Sequence, residues 1–275
     1  MVEASAVLRL RVLLCLLADG EKSSVTGIAK TLGKEHYTIS RMLSVLEKEG
    51  LLSRNGRRLH LTESGKIQAK EYAKRIHITI DHLLYEGVNI QSARNDAYYW
   101  ALYNSEDTME VIYNAEEKCR VKYEMRSKKY FDGNELCRRL KDGKYQFPFI
   151  IYREHIKNGT NISMANEGFE HPCTLSIKNG VGTLLLRGVD LTAKSASTGI
   201  AMRGHVKTVK YFDSGAYINS ERNGNVFSIP AAVLNFCNIG SGMDQILHGH
   251  VCLRMQCSVG VIHMPESTAI FTVLV

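Results

Sequence analysis

Between Thr38 and Leu46 the apolar residues Ile39, Met42, Leu43 and Leu46 fall at relative positions 0, 3, 4 and 7, the stripe of an amphipathic helix. Tyr37, Ser40, Arg41 and Ser44 take the opposite side and form a polar face. A shorter periodic segment, Val25 to Leu32, precedes it, and Gly33 supplies the permissive backbone for a turn between the two. Gly50 follows the last periodic residue, where a left-handed cap ends a helix. There the period changes. Leu51–Arg54 and Arg57–Leu61 flank Asn55-Gly56, a pair suited to a tight hairpin with both central residues at positive φ. These elements predict a helix-turn-helix followed by a β-hairpin.

Upstream, Leu10, Leu13, Leu14 and Leu17 make one face of a first helix. Downstream, Thr62 is placed to cap a long helix from Glu63 to Leu84, whose apolar side holds Ile67, Ala69, Tyr72, Ala73, Ile76, Ile80 and Leu83. Further helices are expected from Ser92 to Tyr103 and from Ser105 onward, with Glu106 and Asp107 favourably placed in the third helix's first turn. From about Tyr145 the pattern turns to short apolar or alternating runs between Gly, Asn, Asp and Ser turns. They are Phe147–Tyr152, Thr174–Lys178, Gly182–Arg187, Val206–Phe212, Ala216–Asn219, Asn225–Ile229, His250–Gln256 and Ile270–Val275.

The fold class predicted is α+β, with a helical N-terminal part followed by a β-rich sandwich or barrel. Its expected domains are a winged helix-turn-helix over 1–65, a helical dimerisation region over 66–118, a basic connector over 119–144 with a short helix near Asn134–Leu140, and a sensor or assembly domain over 145–275.

Charge sharpens this division. The net charge of +7 is unevenly spread: residues 1–75 hold 14 Lys and Arg against 8 Asp and Glu, residues 76–118 hold 2 against 8, and residues 119–275 hold 19 against 12. A basic segment coincides with the helix-turn-helix, as phosphate contact requires. In this reading Tyr37, Ser40 and Arg41 approach base edges with Ser44 beside them, and Lys34, His36 and Thr38 position the helix on the backbone. Arg54, Arg57 and Arg58 at the hairpin carry guanidiniums to phosphate or minor groove. The partner expected is double-stranded DNA.

Other classes of function find little support. The apolar run Val12–Ala18 falls far short of the ~20 residues of a spanning helix, and Asp19-Gly20-Glu21-Lys22 follows it without a small-residue cleavage pattern. Seven cysteines without a CxxC pair fit a reduced, cytoplasmic protein, so the glycosylation-like Asn158-Gly159-Thr160 and Asn161-Ile162-Ser163 are read as turns. Phosphate-loop, dinucleotide and nucleophile-elbow motifs are missing, and no enzyme is expected.

The order of parts from residue 5 to 110, through Val25-Thr26-Gly27-Ile28-Ala29-Lys30-Thr31-Leu32, Thr38-Ile39-Ser40-Arg41-Met42-Leu43, Glu49-Gly50-Leu51 and Leu61-Thr62-Glu63-Ser64-Gly65, resembles the iron- and manganese-dependent repressors of the diphtheria-toxin-repressor family. The DNA-binding portion is shared with other winged-helix regulators. The resemblance implies a homodimeric repressor whose metal site joins the first helix, the long helix and the next. His77 and Asp81 fall where that family places a histidine and an acidic ligand, whereas Leu8, Arg11, Ala101 and Leu102 stand where it carries others. The family site is therefore largely not retained.

A second candidate for a divalent transition metal lies in the β-rich part. His248, His250 and Cys252 alternate and would share one strand face, with Cys237, Cys257 and His263 near in sequence. The function expected is a transcription regulator, a homodimeric repressor gated by a small-molecule effector or a metal through its C-terminal domain. The alternative is a winged-helix protein-interaction adaptor whose β domain holds a small-molecule or enzymatic site.

Overall fold

The computed structural model describes residues 2–19, 23–56, 58–157, 160–194, 201–240, 245–259, 262–263 and 265–275. Its helices are α1 (Val2–Asp19), α2 (Val25–Leu32), α3 (His36–Lys48), α4 (Glu63–Tyr85), α5 (Ile90–Tyr103), α6 (Glu106–Glu124) and α7 (Gly133–Arg139). The first strands are β1 (Leu52–Asn55), β2 (Arg58–Leu61), β3 (Tyr130–Asp132), β4 (Gly143–Phe147), β5 (Phe149–Lys157), β6 (Thr160–Ile162), β7 (Cys173–Lys178) and β8 (Val181–Arg187). They are followed by β9 (Leu191–Lys194), β10 (Ala201–Asp213), β11 (Ala216–Asn219), β12 (Glu221–Asn223), β13 (Val226–Pro230), β14 (Asn235–Ile239), β15 (Ile246–Val259), β16 (Ile262–His263) and β17 (Ser267–Leu274). The α+β class read from the sequence is the class observed, and the chain divides into units at Met1–Glu116 and Glu117–Val275.

In the first unit the stripe of α3 does what its spacing demands: Ile39, Leu43 and Leu46 are buried beside Ile28, Leu51, Leu52 and Leu59. The face of α1 differs from expectation. Leu10, Val12, Leu13 and Leu16 are fully buried, while Leu14 and Leu17 are half-buried, because α1 is covered on more than one side. Along α4, Ala69, Thr79 and Leu83 are buried, but Ile67 is 69% exposed, a position that periodicity alone assigned to the core.

Thr62 caps α4, its Oγ1 accepting from Gly65 N at 3.1 Å and donating to Gly50 O at 2.7 Å. One hydroxyl thus ties the end of the hairpin to the turn after α3. Thr62→Ala is expected to lower the thermal stability of this unit by about 1 kcal/mol, read by calorimetry, with Thr62→Ser restoring most of it. Gly65 is required for another reason: a Cβ there would overlap the Leu51 carbonyl oxygen.

The second unit is built on a ten-stranded and a five-stranded sheet. The larger runs β11-β10-β15-β17-β5-β6, with β14 and β16 also on β15, β9 on β10 and β3 on β14; the smaller runs β12-β13-β8-β7-β4. Alternation drives the inward residues of both into one core. Leu247, Val251, Leu253, Phe271 and Ile151 come from the large sheet, and Tyr145, Phe147, Leu184 and Phe227 from the small one. The expected run Phe147–Tyr152 is divided at Pro148, which has no N–H for a ladder; β4 on one side pairs with β7, and β5 on the other with β17. A bulge in β10 between Val206 and Thr208 resets the alternation, so Val206 is followed inward by Val209 and Tyr211.

Residues 119–144 are not a connector. Val121, Met125, Phe131, Leu136, Cys137 and Leu140 lie in the core of this unit, and Gly182 of β8 has no room for a Cβ against the Cys137 sulfur. Part of their basic charge is spent internally as well. Arg120 pairs with Glu117 and Glu124, Lys128 with Glu135, Arg139 with Glu124 and Glu135, and Lys141 with Glu117. Four of the nine cations in this stretch are thus held in ion pairs, two of them, Arg120 and Lys141, on the buried Glu117 carboxylate. Among the described residues no helix is long and apolar enough to cross a membrane.

Candidate nucleic-acid interface

The turn between α2 and α3 forms as the sequence requires. Ser24 caps α2 by accepting from Gly27 N at 3.1 Å, and Gly33 closes it at φ +60°, while the Lys34 amide donates to Ala29 O at 3.0 Å. With the apolar stripe of α3 committed inward, its outer surface presents Tyr37, 74% exposed, together with exposed His36, Arg41 and Ser44. Lys34 is exposed before the helix begins, and Thr38 and Ser40 are half-buried at the edge of the polar face. Arg41 makes no ion pair with any described residue, so its guanidinium is available to an external acceptor.

The hairpin that follows is shifted by one residue from expectation. Strand pairing runs Leu52↔Leu61, Ser53↔His60, Arg54↔Leu59 and Asn55↔Arg58, so Asn55 belongs to the ladder and the turn begins at Gly56. Gly56 takes φ +62°. The physical reason is that a glycine at the first turn position supplies the positive φ without help from Asn55. Arg57 lies outside the described residues.

Arg54 and Arg58, which the sequence grouped at one tip, differ in their surroundings. Arg54 Nε lies 3.0 Å from Glu47 Oε2, and its Nη2 donates to Ser44 Oγ at 3.5 Å; the Ser44 hydroxyl in turn donates to Ser40 O at 3.1 Å. Arg58, at the opposite end of the rung from Asn55, is exposed and forms no ion pair with a described residue. The geometry therefore brings Tyr37, Arg41, Ser44 and Arg54 onto adjoining surface, with Ser44 and Arg54 already linked. Glu47 is a participant that sequence reasoning missed, because its role depends on hairpin register rather than on helical spacing. A further clamp, Arg9 to Glu49 at 2.6 Å, fixes α1 to the end of α3.

The metal positions implied by the family resemblance do not fit a metal. Ala101 is fully buried and Leu8 is packed against the core, neither offering a donor atom, and the Arg11 guanidinium lies 5.9 Å above the Tyr98 ring. His77 Nε2 and Asp81 Oδ2 do meet, at 3.4 Å on the surface of α4, but no third His, Cys, Asp or Glu joins them among the described residues. Near Ala101 and Leu102 there is instead a groove of about 380 Å³, bordered also by Ile67, Tyr72 and Arg75. The Arg75 guanidinium donates to the carbonyls of Ala101 at 3.2 Å and Asn104 at 3.3 Å and pairs with Glu71 and Glu106, so it is saturated by the protein.

In the second unit, His248, His250 and Cys252 share the outer face of β15, as their spacing predicts, since Leu247, Val251 and Leu253 fill the inner one. Cys257 follows the inner alternation and packs against the core, and the side chain of His263 lies outside the described residues. Cys173 is buried with its thiol donating to Phe147 O at 3.2 Å, and burial pushes that thiol up to about 12, which disfavours the thiolate; His171 instead stacks on Phe149.

Comparison with known proteins adds one match to the first unit. Residues 2–80 match the family of the N-terminal domain of methanogenesis regulatory protein FilR1, under a third of the chain. No curated protein matches the chain. Among solved structures, a hypothetical protein SSo2273 from Sulfolobus solfataricus is 21% identical, with 40% of this chain and 87% of that one covered at a TM-score of 0.34. The manganese regulator SloR is 14% identical over 81% of this chain and 96% of its own, with a TM-score of 0.34. A NEAT5 domain of IsdX2, a B. anthracis hemophore in complex with heme, is 14% identical over 48% of this chain and 94% of its own, at 0.28. Scores of this size are too low to assign a shared fold.

Proposed function

We propose that the chain is a DNA-binding transcription regulator that reads duplex DNA with α3 and its hairpin. The observation that carries this reading is the outward face of α3, where Tyr37 and Arg41 stand exposed and unengaged by acids beside a basic hairpin. An α-helix so presented fits a major groove, with a guanidinium able to address guanine and a hairpin able to lie along phosphates. The match of residues 2–80 to the N-terminal domain of a regulatory protein supports it. In the fuller form of the proposal the protein is a cytoplasmic homodimeric repressor. Exposed Tyr99, Tyr103 and Val111 on α5 and α6 favour self-association of the helical region, which would set two readers about one DNA turn, roughly 34–36 Å, apart. The second unit receives the effector.

Selection of bound duplexes from fragmented genomic DNA by the full-length protein tests the reading. A shared sequence is expected to be enriched, and its affinity should fall linearly with log salt concentration as counterions return to the phosphates. Failure to bind any duplex at low salt would replace the regulator with a protein-interaction adaptor.

A further inference from the structure

Strands β14 and β15 run antiparallel with Cys237 opposite His248 and Asn235 opposite His250. Directly opposed residues share a face of the sheet, so Cys237 joins His248 and His250 on the outer one. Cys237 Sγ lies 3.8 Å from His248 Nδ1, and the His248 and His250 rings are 6.2 Å apart between centroids. A thiolate at about 2.3 Å and an imidazole nitrogen at about 2.0 Å from one tetrahedral ion stand roughly 3.6 Å from each other. The first two groups are thus already spaced as ligands of a shared ion.

We propose that Cys237, His248 and His250 bind a borderline transition ion of the Zn(II) type, with water in the fourth position. As the side chains stand, no three His, Cys, Asp or Glu converge among the described residues, and the site closes by rotation of the exposed His250 ring toward the Cys237–His248 pair. Binding is ligand exchange without electron transfer. The Cys237 thiol loses its proton to solvent as the metal–sulfur bond forms, and two imidazole nitrogens displace metal-bound waters. Cys252 is excluded, because four residues along a strand put it about 13 Å from His248. The register therefore exchanges the cysteine that sequence alternation selected for one on the neighbouring strand.

What the ion would control rests on the reading of the second unit as the sensor; the binding itself does not. The test is titration of the reduced, metal-free, full-length protein with Co(II), followed by absorbance. One equivalent is expected to give the visible bands of tetrahedral Co(II) and a thiolate charge-transfer band. Cys237→Ser should abolish the charge-transfer band, while His248→Asn or His250→Asn should weaken binding more than about tenfold, the least that losing even an outer partner costs. Cys252→Ser should leave both unchanged. Circular dichroism of each variant reports folding, and competition of the unaltered protein with a chromophoric zinc chelator gives the stoichiometry independently of any substitution. Absence of the charge-transfer band in the unaltered protein, or its persistence in Cys237→Ser, overturns the site. Parallel duplex-binding assays separate the two readings: lost metal binding with intact DNA binding removes the site alone, and intact metal binding without DNA binding removes the regulator alone.

Discussion

Arg41→Ala is expected to weaken binding of the full-length protein to its selected duplex by roughly 1–3 kcal/mol at fixed salt, about five- to 150-fold. The argument rests on what Arg41 lacks: it stands exposed on α3 with no acidic partner among the described residues, so binding DNA breaks nothing within the protein. A bidentate contact to guanine would also be lost selectively, and the position-weight profile of the variant should flatten at one base pair in each half-site. Arg54→Ala is expected to cost less. Its guanidinium must first leave Glu47, 3.0 Å away, and that loss offsets part of whatever a phosphate returns. Fluorescence anisotropy with labelled duplexes at two salt concentrations checks both. If Arg41→Ala reduced only the salt slope and left sequence preference intact, the residue would be a phosphate contact and the base-reading role would fall.

The contrast between these arginines marks how far the sequence is legible. Helical spacing found α3 and placed Ile39, Leu43 and Leu46 inward, because an amphipathic stripe depends only on neighbours within two turns. Arg41 and Tyr37 followed as the outward residues of the same helix. Arg54 required more. Its pairing with Glu47 depends on which rung of the hairpin it occupies, and Asn55 stays in the ladder while Gly56 takes the positive φ that opens the turn.

Non-local pairing limits the second unit in the same way. Alternation placed His248, His250 and Cys252 on one face, yet the partner of His248 is Cys237, fixed by the β14–β15 register and not by any spacing along one strand. Short edge strands such as β3, β6 and β12 have too few residues to show a period. Residues 119–144 misled most, since their many cations suggested a solvated connector. Charge composition does not reveal that Glu117, Glu124 and Glu135 pair with Arg120, Lys128, Arg139 and Lys141, nor that the apolar residues between them are buried.

That neutralised cluster carries the largest stability effect expected. The Glu117 side chain is fully buried, receives Arg120 and the Lys141 ammonium (3.0 Å), and accepts from the Lys141 amide at 3.0 Å, which joins α6 to the segment entering β4. Burial by itself would raise the Glu117 carboxyl; the hydrogen bonds from Arg120 and Lys141 outweigh it and hold the group below the ordinary carboxylate value of 4.5. A depressed folded value means that the stabilisation is fully present above about pH 4.5 and is lost as pH falls through the folded value. Glu117→Ala is therefore expected to cost the second unit about 3 kcal/mol at neutral pH, the lower end for a broken buried pair, because Arg120 and Lys141 are partly exposed and can rehydrate. Glu117→Gln should retain an acceptor and cost less, with a flatter pH dependence below 4.5 than the unaltered chain. The lone tryptophan, Trp100, belongs to the first unit, so urea unfolding followed by its fluorescence should be unchanged while the strand signal in circular dichroism shifts to lower urea. Equal loss at pH 4 and pH 7 would show that Glu117 acts through packing and not through its charge.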